Sequence, residues 1–228
     1  MPPRVASSPD TLEATCFSGG AFAENGYLVH HPATNRLVAV DPGAAAPEMV
    51  RALGQGGGTL EAIYLTHAHI DHVEGIPVVR EYAEVPVFLH PADRPLYDLA
   101  DAQGIAVAAR LPRPLPVPDR ELVPGQSVPV GGLSLEVRFA PGHAPGHVIL
   151  YSAEGGFALV GDVIFQASIG RTDLPGGDFR QLIDSIRREI LSLPDATRLL
   201  SGHGLETSVA NERRGNPFLI SQMGGEFV

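Results

Sequence analysis

The segment Thr66-His67-Ala68-His69-Ile70-Asp71-His72 places four metal-capable side chains within six residues. It follows residues 62–66, a short apolar run that is typical of a buried strand. The two histidines that lie two residues apart project to the same side of an extended chain and can share one metal ion. The aspartate and the last histidine come after the turn begins and can face a second ion. Because these groups would be costly to bury unpaired, the segment predicts metal binding rather than a core or capping role.

Three further candidate ligands occupy the same position relative to a predicted strand. They are His143, Asp162 and His203, which follow the predicted strands 133–140, 157–160 and 198–200. Loops that leave the carboxyl ends of strands can approach one another outside the edge of a sheet. A single Gly-His or Gly-Asp after a strand is more often a turn, but together these loops supply five histidines and two aspartates. Seven ligands suit two ions about 3.5–4 Å apart, with a bridging carboxylate and a water or hydroxide between them, which is a hydrolytic arrangement.

The order of the predicted elements indicates two β-sheets flanked by helices. Strands and helices follow one another in two blocks, residues 14–89 and 133–200, and residues 178–191 give the clearest helix, with Asp178 as its cap. Residues 92–109 are predicted to be helical in two pieces. Residues 111–118 contain four prolines and predict an extended surface connection rather than a domain boundary. We therefore expect a flexible tail over residues 1–11 and one hydrolase domain over residues 12–228. The other predicted strands are 14–18, 26–30, 37–40, 62–66, 85–89 and 147–152, and the other predicted helices are 47–53 and 75–82.

Composition and charge exclude several classes of function. The chain has 228 residues, with 26 acidic and 16 basic side chains and a net charge of -10, which disfavours binding to phosphate backbones. One cysteine, Cys16, excludes an internal disulfide and a thiolate zinc cluster. No apolar run approaches the roughly 18 residues of a membrane span, and the first ten residues lack the apolar region of a signal peptide. We expect a cytoplasmic protein that binds neither nucleic acid nor membrane; its oligomeric state is left open.

The His-x-His-x-Asp-His motif, with Pro141-Gly142-His143, Gly161-Asp162 and Gly202-His203, resembles the metallo-β-lactamase superfamily. The resemblance implies an α/β fold of the αββα type, a sandwich of two mixed β-sheets flanked by helices. It also implies two metal ions and makes Asp71 and Asp162 the candidate catalytic residues. By this resemblance the first ion is held by His67, His69 and His143, the second by Asp71, His72 and His203, and Asp162 bridges them.

Other motifs are similar to those of short glyoxalase II-like hydrolases, the hydroxyacylglutathione hydrolase-like proteins. They are Asp41-Pro42-Gly43, residues 140–147, Gly170-Arg171-Thr172-Asp173 and Asn216-Pro217-Phe218-Leu219. This likeness implies hydrolysis of a thioester such as S-2-hydroxyacylglutathione, by attack of a metal-bridging hydroxide on the acyl carbonyl. The expected partner is a small-molecule thioester or ester. Imidazole and carboxylate ligands accept several divalent metals; we expect zinc first, with iron or manganese as alternatives.

Three residues beside the predicted ligands have two interpretations each. Where long glyoxalase II forms carry a lysine and a tyrosine, this chain has Arg171 and Asp173. Arg171 can still bind a substrate carboxylate through its fork of donors, or it can form an ion pair with Asp173. His147 can support a ligand through a hydrogen bond, or be a core histidine that begins a strand. Asp41 can orient the ligand loop, or serve the Asp-Pro-Gly turn.

Rival functions come from the same motifs. The Gly-Arg-Thr-Asp segment and the Asn-Pro near the end are also similar to persulfide dioxygenases, which bind one iron through two histidines and an aspartate. A hydrolase of another ester or a lactone, and a metal-binding protein without catalysis, are further alternatives. The complete second set of ligands favours two metals and hydrolysis.

Overall fold

The first sheet is built from the amino-terminal part of the chain. The computed structural model describes residues 10–100 and 114–224, except for the side chains of residues 221–224. The sheet has six strands, and neighbours in the sheet follow one another in sequence. β1 to β3 are antiparallel, whereas β3 to β6 are parallel. The strands are β1 (Glu13–Gly19), β2 (Glu24–His31), β3 (Arg36–Val40), β4 (Thr59–Tyr64), β5 (Val87–Leu89) and β6 (Arg120–Glu121).

The second sheet also has six strands, in the order β14-β13-β10-β9-β8-β7. Only the pair β10 and β13 is parallel among its described strand pairs. A two-stranded hairpin, β11 and β12, leaves the end of β10. The strands are β7 (Ser127–Val130), β8 (Leu133–Phe139), β9 (Val148–Ser152), β10 (Phe157–Gly161), β11 (Ile164–Phe165), β12 (Ser168–Ile169), β13 (Arg198–Ser201) and β14 (Thr207–Ser208).

Helices cover the outer faces of both sheets. A 3₁₀ turn, Pro91–Asp93, precedes α4, and a π-helix, Ile186–Ile190, continues α5. The helices are α1 (Ala46–Gly56), α2 (Ile70–Val73), α3 (Ile76–Tyr82), α4 (Arg94–Asp98), α5 (Phe179–Ser185), α6 (Val209–Gly215) and α7 (Pro217–Gly224). Among the described residues, none of these helices has both the length and the apolar composition needed to cross a lipid bilayer.

Three apolar clusters account for the layering. One cluster lies between the sheets and joins Tyr64 of the first to Leu135 and Phe157 of the second. A second cluster packs the inner faces of α1 and α3 on the first sheet, and a third packs α5 and the π-helix on the second. Burying apolar side chains on both faces of each sheet gives four layers. The predicted αββα sandwich of two mixed sheets is confirmed.

Most predicted elements are present, with one substantial difference. Asp178 caps α5 as expected, because its carboxylate accepts the Gln181 N–H at 3.0 Å. The predicted helix 178–191 is not one α-helix, however: the Leu191 N–H reaches back to the Ile186 carbonyl at 2.9 Å, the i→i+5 pattern of a π-helix. The predicted strand 62–66 ends earlier, at Tyr64. Most of the predicted tail, and the second half of the prediction for residues 92–109, lie outside the described residues.

Candidate metal centre

The predicted ligands meet at one edge of the sandwich. They lie in the segments that follow the carboxyl ends of β4, β8, β10 and β13, as the sequence indicated, and Asp71 and His72 belong to the short helix α2 that begins there. The parallel pairs β3–β4 and β10–β13 point their carboxyl ends towards this edge, which brings loops from both halves of the chain together. All seven predicted ligands, His67, His69, Asp71, His72, His143, Asp162 and His203, are therefore close in space, although their binding of metal stays a prediction.

One cluster consists of His67, His69 and His143. A ring nitrogen from each lies within 4.8 Å of the others. Nδ1 of His69 is 2.8 Å from Nε2 of His143, and the rings of His67 and His69 meet edge to face at 4.8 Å between centroids. His67 and His143 are buried, and His69 is half-buried. Three imidazole nitrogens aimed at one point form the type of set that binds a divalent cation.

The second cluster consists of Asp71, His72 and His203. Its ligand atoms also lie within 4.8 Å of one another. The Nε2 atom of His203 is 3.3 Å from an Asp71 carboxylate oxygen. His72 is fully buried, whereas the other two are half-buried and border the cavity described below. This cluster therefore offers two imidazoles and a carboxylate on the side of the site that substrate can reach.

Asp162 lies between the two clusters. One of its carboxylate oxygens, Oδ1, is 3.4 Å from Nε2 of His72, and the other, Oδ2, is 3.5 Å from Nε2 of His143. Oδ2 is also 3.5 Å from Nε2 of His203. A single carboxylate thus faces imidazoles of both sets, which is the position that a bridging ligand needs.

The outward ring nitrogens are held by oxygen atoms, and this fixes which nitrogen faces the centre. Nδ1–H of His143 donates to the carbonyl of Arg171 at 2.8 Å, and Nδ1–H of His203 donates to the carbonyl of Phe22 at 3.0 Å. Nδ1–H of His72 donates to the carboxylate of Asp41 at 3.1 Å. With the proton assigned to Nδ1, Nε2 of each ring presents a lone pair to the centre.

The buried atoms at the centre fit divalent cations. Among the described residues, Nε2 of His67, Nε2 of His72 and Oδ1 of Asp162 are buried without a hydrogen bond. Leaving such atoms unpaired inside a protein costs free energy. Metal coordination would satisfy all three atoms. Together with the two sets of His and Asp ligands and the central carboxylate, they suit two divalent ions, one in each cluster.

The charges of the cluster differ between its two sides. Burial and the neighbouring His143 lower the pKa of His69 to about 3, so this ring is neutral and its lone pair is available at neutral pH. Burial also disfavours the charged form of His203, but the carboxylates of Asp162 and Asp71 outweigh it and raise its pKa to about 10. The two carboxylates therefore favour a positive charge at this place, and a metal ion bound there would replace the proton on Nε2 of His203.

Asp41 and His147 contact the ligand loops from behind. Asp41 accepts hydrogen bonds from the Thr66 N–H at 2.7 Å, from the Thr66 hydroxyl at 2.6 Å and from His72. His147 is fully buried, stacks on the His67 ring and accepts the Asp162 N–H at 3.0 Å through Nε2. Both are placed as orienting residues would be.

Arg171 forms the ion pair with Asp173, with bonds of 2.7 and 2.8 Å, and its role as a substrate contact stays a prediction.

Sequence reasoning missed Asp93, which joins two ligand loops. It is fully buried, and its carboxylate accepts the N–H of Ala68, between two histidines, and the N–H of Gly146, beyond His143. Burial raises its pKa to about 6, against the two N–H bonds that lower it. The local sequence His90-Pro91-Ala92-Asp93 reads only as a helix start. Its function depends on contacts 25 and 53 residues away, which no local pattern reveals.

Sequence reasoning also missed Thr66 and Glu24. The Thr66 hydroxyl lies 3.1 Å from Nδ1 of His67 and links that ring to Asp41. Glu24 is buried beside His72 at 3.8 Å, and burial raises the pKa of its carboxyl well above the usual value. Thr66 directly precedes His67, so its position in the sequence could have indicated a role at the site. Glu24 lies in β2, far from the motif in sequence, and comes close to it only through folding.

Gly202 has no side chain because the centre leaves no room for one. A Cβ atom there would overlap Oδ1 of Asp162 and lie 2.6 Å from Cε1 of His72. This explains the Gly-His pair at the end of β13 better than a turn does, since the close approach involves two predicted ligands.

A cavity of about 680 Å³ opens over the centre. His69, Asp71, His143, Asp162 and His203 line its floor, and its walls are mostly apolar. This volume lies within the range of small-molecule sites, about 300–1,000 Å³. The geometry therefore places a substrate-sized space directly against the two clusters.

Comparisons with known proteins agree with this geometry. Residues 19–203 match the family model described as the metallo-beta-lactamase superfamily. The chain is 38% identical over 207 residues to the "Probable metallo-hydrolase YqgX" of Bacillus subtilis, covering 88% of this chain and 94% of that protein. It is 34% identical to the "Hydroxyacylglutathione hydrolase GloC" of Haemophilus influenzae, covering 89% and 95%. The crystal structure of TTHA1623 in a di-iron-bound form superposes with a TM-score of 0.82 at 39% identity, covering 90% of this chain and all of that one.

Proposed function

Because the chain belongs to the metallo-beta-lactamase superfamily, we propose that it is a metal-dependent hydrolase that cleaves a thioester at a centre of two metal ions. The observation that carries this proposal is the position of Asp162. Its carboxylate oxygens lie 3.5 Å from His143 of the first cluster, and 3.4 and 3.5 Å from His72 and His203 of the second. A persulfide dioxygenase with one iron would need only one of these ligand sets.

The residues have distinct roles in this proposal. His67, His69 and His143 would hold one ion, Asp71, His72 and His203 would hold the other, and Asp162 would contact both. Two divalent ions at this place would lower the pKa of a bound water toward about 7 and polarise an acyl carbonyl.

The chain itself contributes orientation. The carbonyls of Arg171 and Phe22 and the carboxylate of Asp41 hold the outer ring nitrogens, so the imidazoles enter the reaction already aligned. A thioester suits this site because a thiolate leaves readily. No general acid has to protonate the leaving group, and stabilisation of the developing oxyanion is the main requirement.

The metal and the substrate are each suggested by a relative. The crystal structure of TTHA1623 is of a di-iron-bound form, which supports iron as an alternative to the zinc that the ligand types suggest. GloC of Haemophilus influenzae is described as a hydroxyacylglutathione hydrolase, which makes S-lactoylglutathione the reference substrate. We propose a small-molecule thioester or ester as the partner. The net charge of -10 favours neither nucleic acid nor an anionic membrane surface as a second one.

The test follows the loss of thioester absorbance with S-lactoylglutathione, using protein stripped of metal and reloaded with zinc, iron or manganese. We expect turnover only after about two equivalents of metal are bound, and its loss in Asp162→Ala. Asp184→Ala is the matched control, because Asp184 is an exposed aspartate on α5 and should retain full activity.

Two results would contradict the proposal. The first is absence of thioester cleavage with two metals bound. The second is one bound iron together with oxygen consumption on glutathione persulfide, which would identify the dioxygenase instead.

A further inference from the structure

The walls of the cavity are apolar although they are open to solvent. They include Phe22, Leu96, Leu99, Phe165 and Leu174. Phe22 is 45% exposed and Leu99 is 59% exposed. These side chains come from separate parts of the chain and converge on one cavity. Apolar side chains that converge on a concave site without being buried are typical of a ligand surface.

Two of the walls are directly continuous with the metal centre. The ring of Phe165 meets the ring of His203 nearly edge to face, at 5.9 Å between centroids. The carbonyl of Phe22 accepts the bond from Nδ1 of the same histidine. An acyl carbon held at the centre would therefore have apolar surface beside it within the length of a short chain.

Away from the histidines of the metal centre, the cavity has little free positive charge to offer a substrate. Arg171 is the one arginine or lysine among the described residues that line it, and its guanidinium is held by both carboxylate oxygens of Asp173. Glutathione carries two carboxylates, which would normally be recognised by free basic groups. Among the described walls, apolar contact is thus the larger source of binding free energy.

We infer that the cavity binds an uncharged apolar acyl chain, so that the preferred substrates are thioesters of longer apolar acyl groups than lactoyl. This rests on the proposed thioester hydrolysis. In that reaction the oxygen of water bonds to the acyl carbon and the carbon–sulfur bond breaks. The sulfur leaves as the thiolate and is protonated afterwards, so the carboxylic acid and the thiol are the products and together account for both protons of the water.

The first experiment varies the acyl group and keeps glutathione as the thiol. S-lactoyl-, S-butyryl-, S-hexanoyl- and S-octanoylglutathione are compared by kcat/KM with metal-loaded protein. Each methylene that enters the cavity should raise kcat/KM about fourfold, the factor that corresponds to burying one CH₂ group. A flat or falling series would overturn the inference.

Two variants test whether the walls cause the trend. Leu99→Asn, in the wall, should flatten the dependence on chain length. Val117→Asn is the matched control, because Val117 is a similarly exposed apolar residue, at 67%, that does not line the cavity. If both variants keep the wild-type slope, the apolar walls do not select the chain.

A binding measurement separates this inference from the proposed function. S-methyl-, S-butyl- and S-octylglutathione are thioethers that cannot be hydrolysed, and calorimetry gives their dissociation constants. Tighter binding with length, without cleavage of any thioester, would keep the apolar chain site and overturn the hydrolase proposal together with the substrate preference. Cleavage of lactoylglutathione with equal thioether affinities would do the reverse.

Discussion

The floor of the cavity consists of His and Asp side chains that follow the ends of β4, β8, β10 and β13 and are buried or half-buried. Its walls consist of apolar side chains such as Phe22 and Leu99, which lie between or beyond regular elements and are open to solvent. Strand ends locked into two packed sheets can hold ligand atoms to within fractions of an ångström, whereas the walls need only shape and hydrophobicity. The difference suggests that the floor determines the reaction and the walls determine the substrate.

The largest effect should follow from crowding the floor. In Gly202→Ala the new methyl group overlaps Oδ1 of Asp162 and presses on His72, so the central carboxylate has to move. Metal affinity, measured by competition with a chromophoric chelator, should fall by more than about 100-fold, the upper end of what losing an outer contact costs.

Gly215→Ala is the control for this change, because a Cβ atom at Gly215, the last residue of α6, meets open space. Normal metal affinity in Gly202→Ala would mean that the floor tolerates displacement. Floor and walls would then not differ in rigidity.

The next effect concerns the buried link between two ligand loops. In Asp93→Asn an NH₂ group faces one of the two N–H donors, of Ala68 or Gly146, that the carboxylate now satisfies. We expect metal affinity to fall about 10- to 100-fold while the folded structure persists, which circular dichroism checks.

Asp119→Asn is the matched control for Asp93. Its carboxylate also accepts a backbone N–H, that of Val87 at 2.9 Å, and it lies outside the ligand loops. Equal losses of metal affinity in the two variants would assign Asp93 a purely structural role.

Asp93 also marks how far the sequence alone could reach. The seven predicted ligands could be found because histidines and aspartates directly after apolar strands are chemically conspicuous, and the αββα fold followed from the family resemblance. Asp93 and Glu24 could not be found, since their roles arise from packing between distant segments. The π-helix was missed because its apolar spacing differs little from that of an α-helix. The apolar residues of the cavity walls were missed because, in sequence, they cannot be told from core residues until their exposure is known.

A smaller effect on the floor should come from Thr66. Thr66→Val keeps the shape of the side chain but removes the hydroxyl that links Nδ1 of His67 to Asp41. The His67 ring loses its orienting partner, and metal affinity should fall about tenfold, the lower end of outer-contact effects.

Thr207→Val is the control, since Thr207 is also buried and donates to Glu212 away from the centre. A loss of metal affinity as large in the control would remove the argument for a Thr66 link.

The smallest effect should come from the ion pair between Arg171, in the wall, and Asp173. Asp173→Asn releases the Arg171 guanidinium from its bidentate partner, and both side chains are exposed, so the gain in free positive charge is screened by salt. The kcat/KM for S-lactoylglutathione should rise a few-fold at low ionic strength, and the rise should shrink as salt is added. The lactoyl thioester of an uncharged thiol should show no rise, because it has no carboxylate for Arg171 to bind.

Asp195→Asn breaks the exposed pair with Arg213 elsewhere and should change neither rate. Equal changes with both thioesters would mean that Asp173 acts through the shape of the wall, and the walls would then select substrates by contact alone.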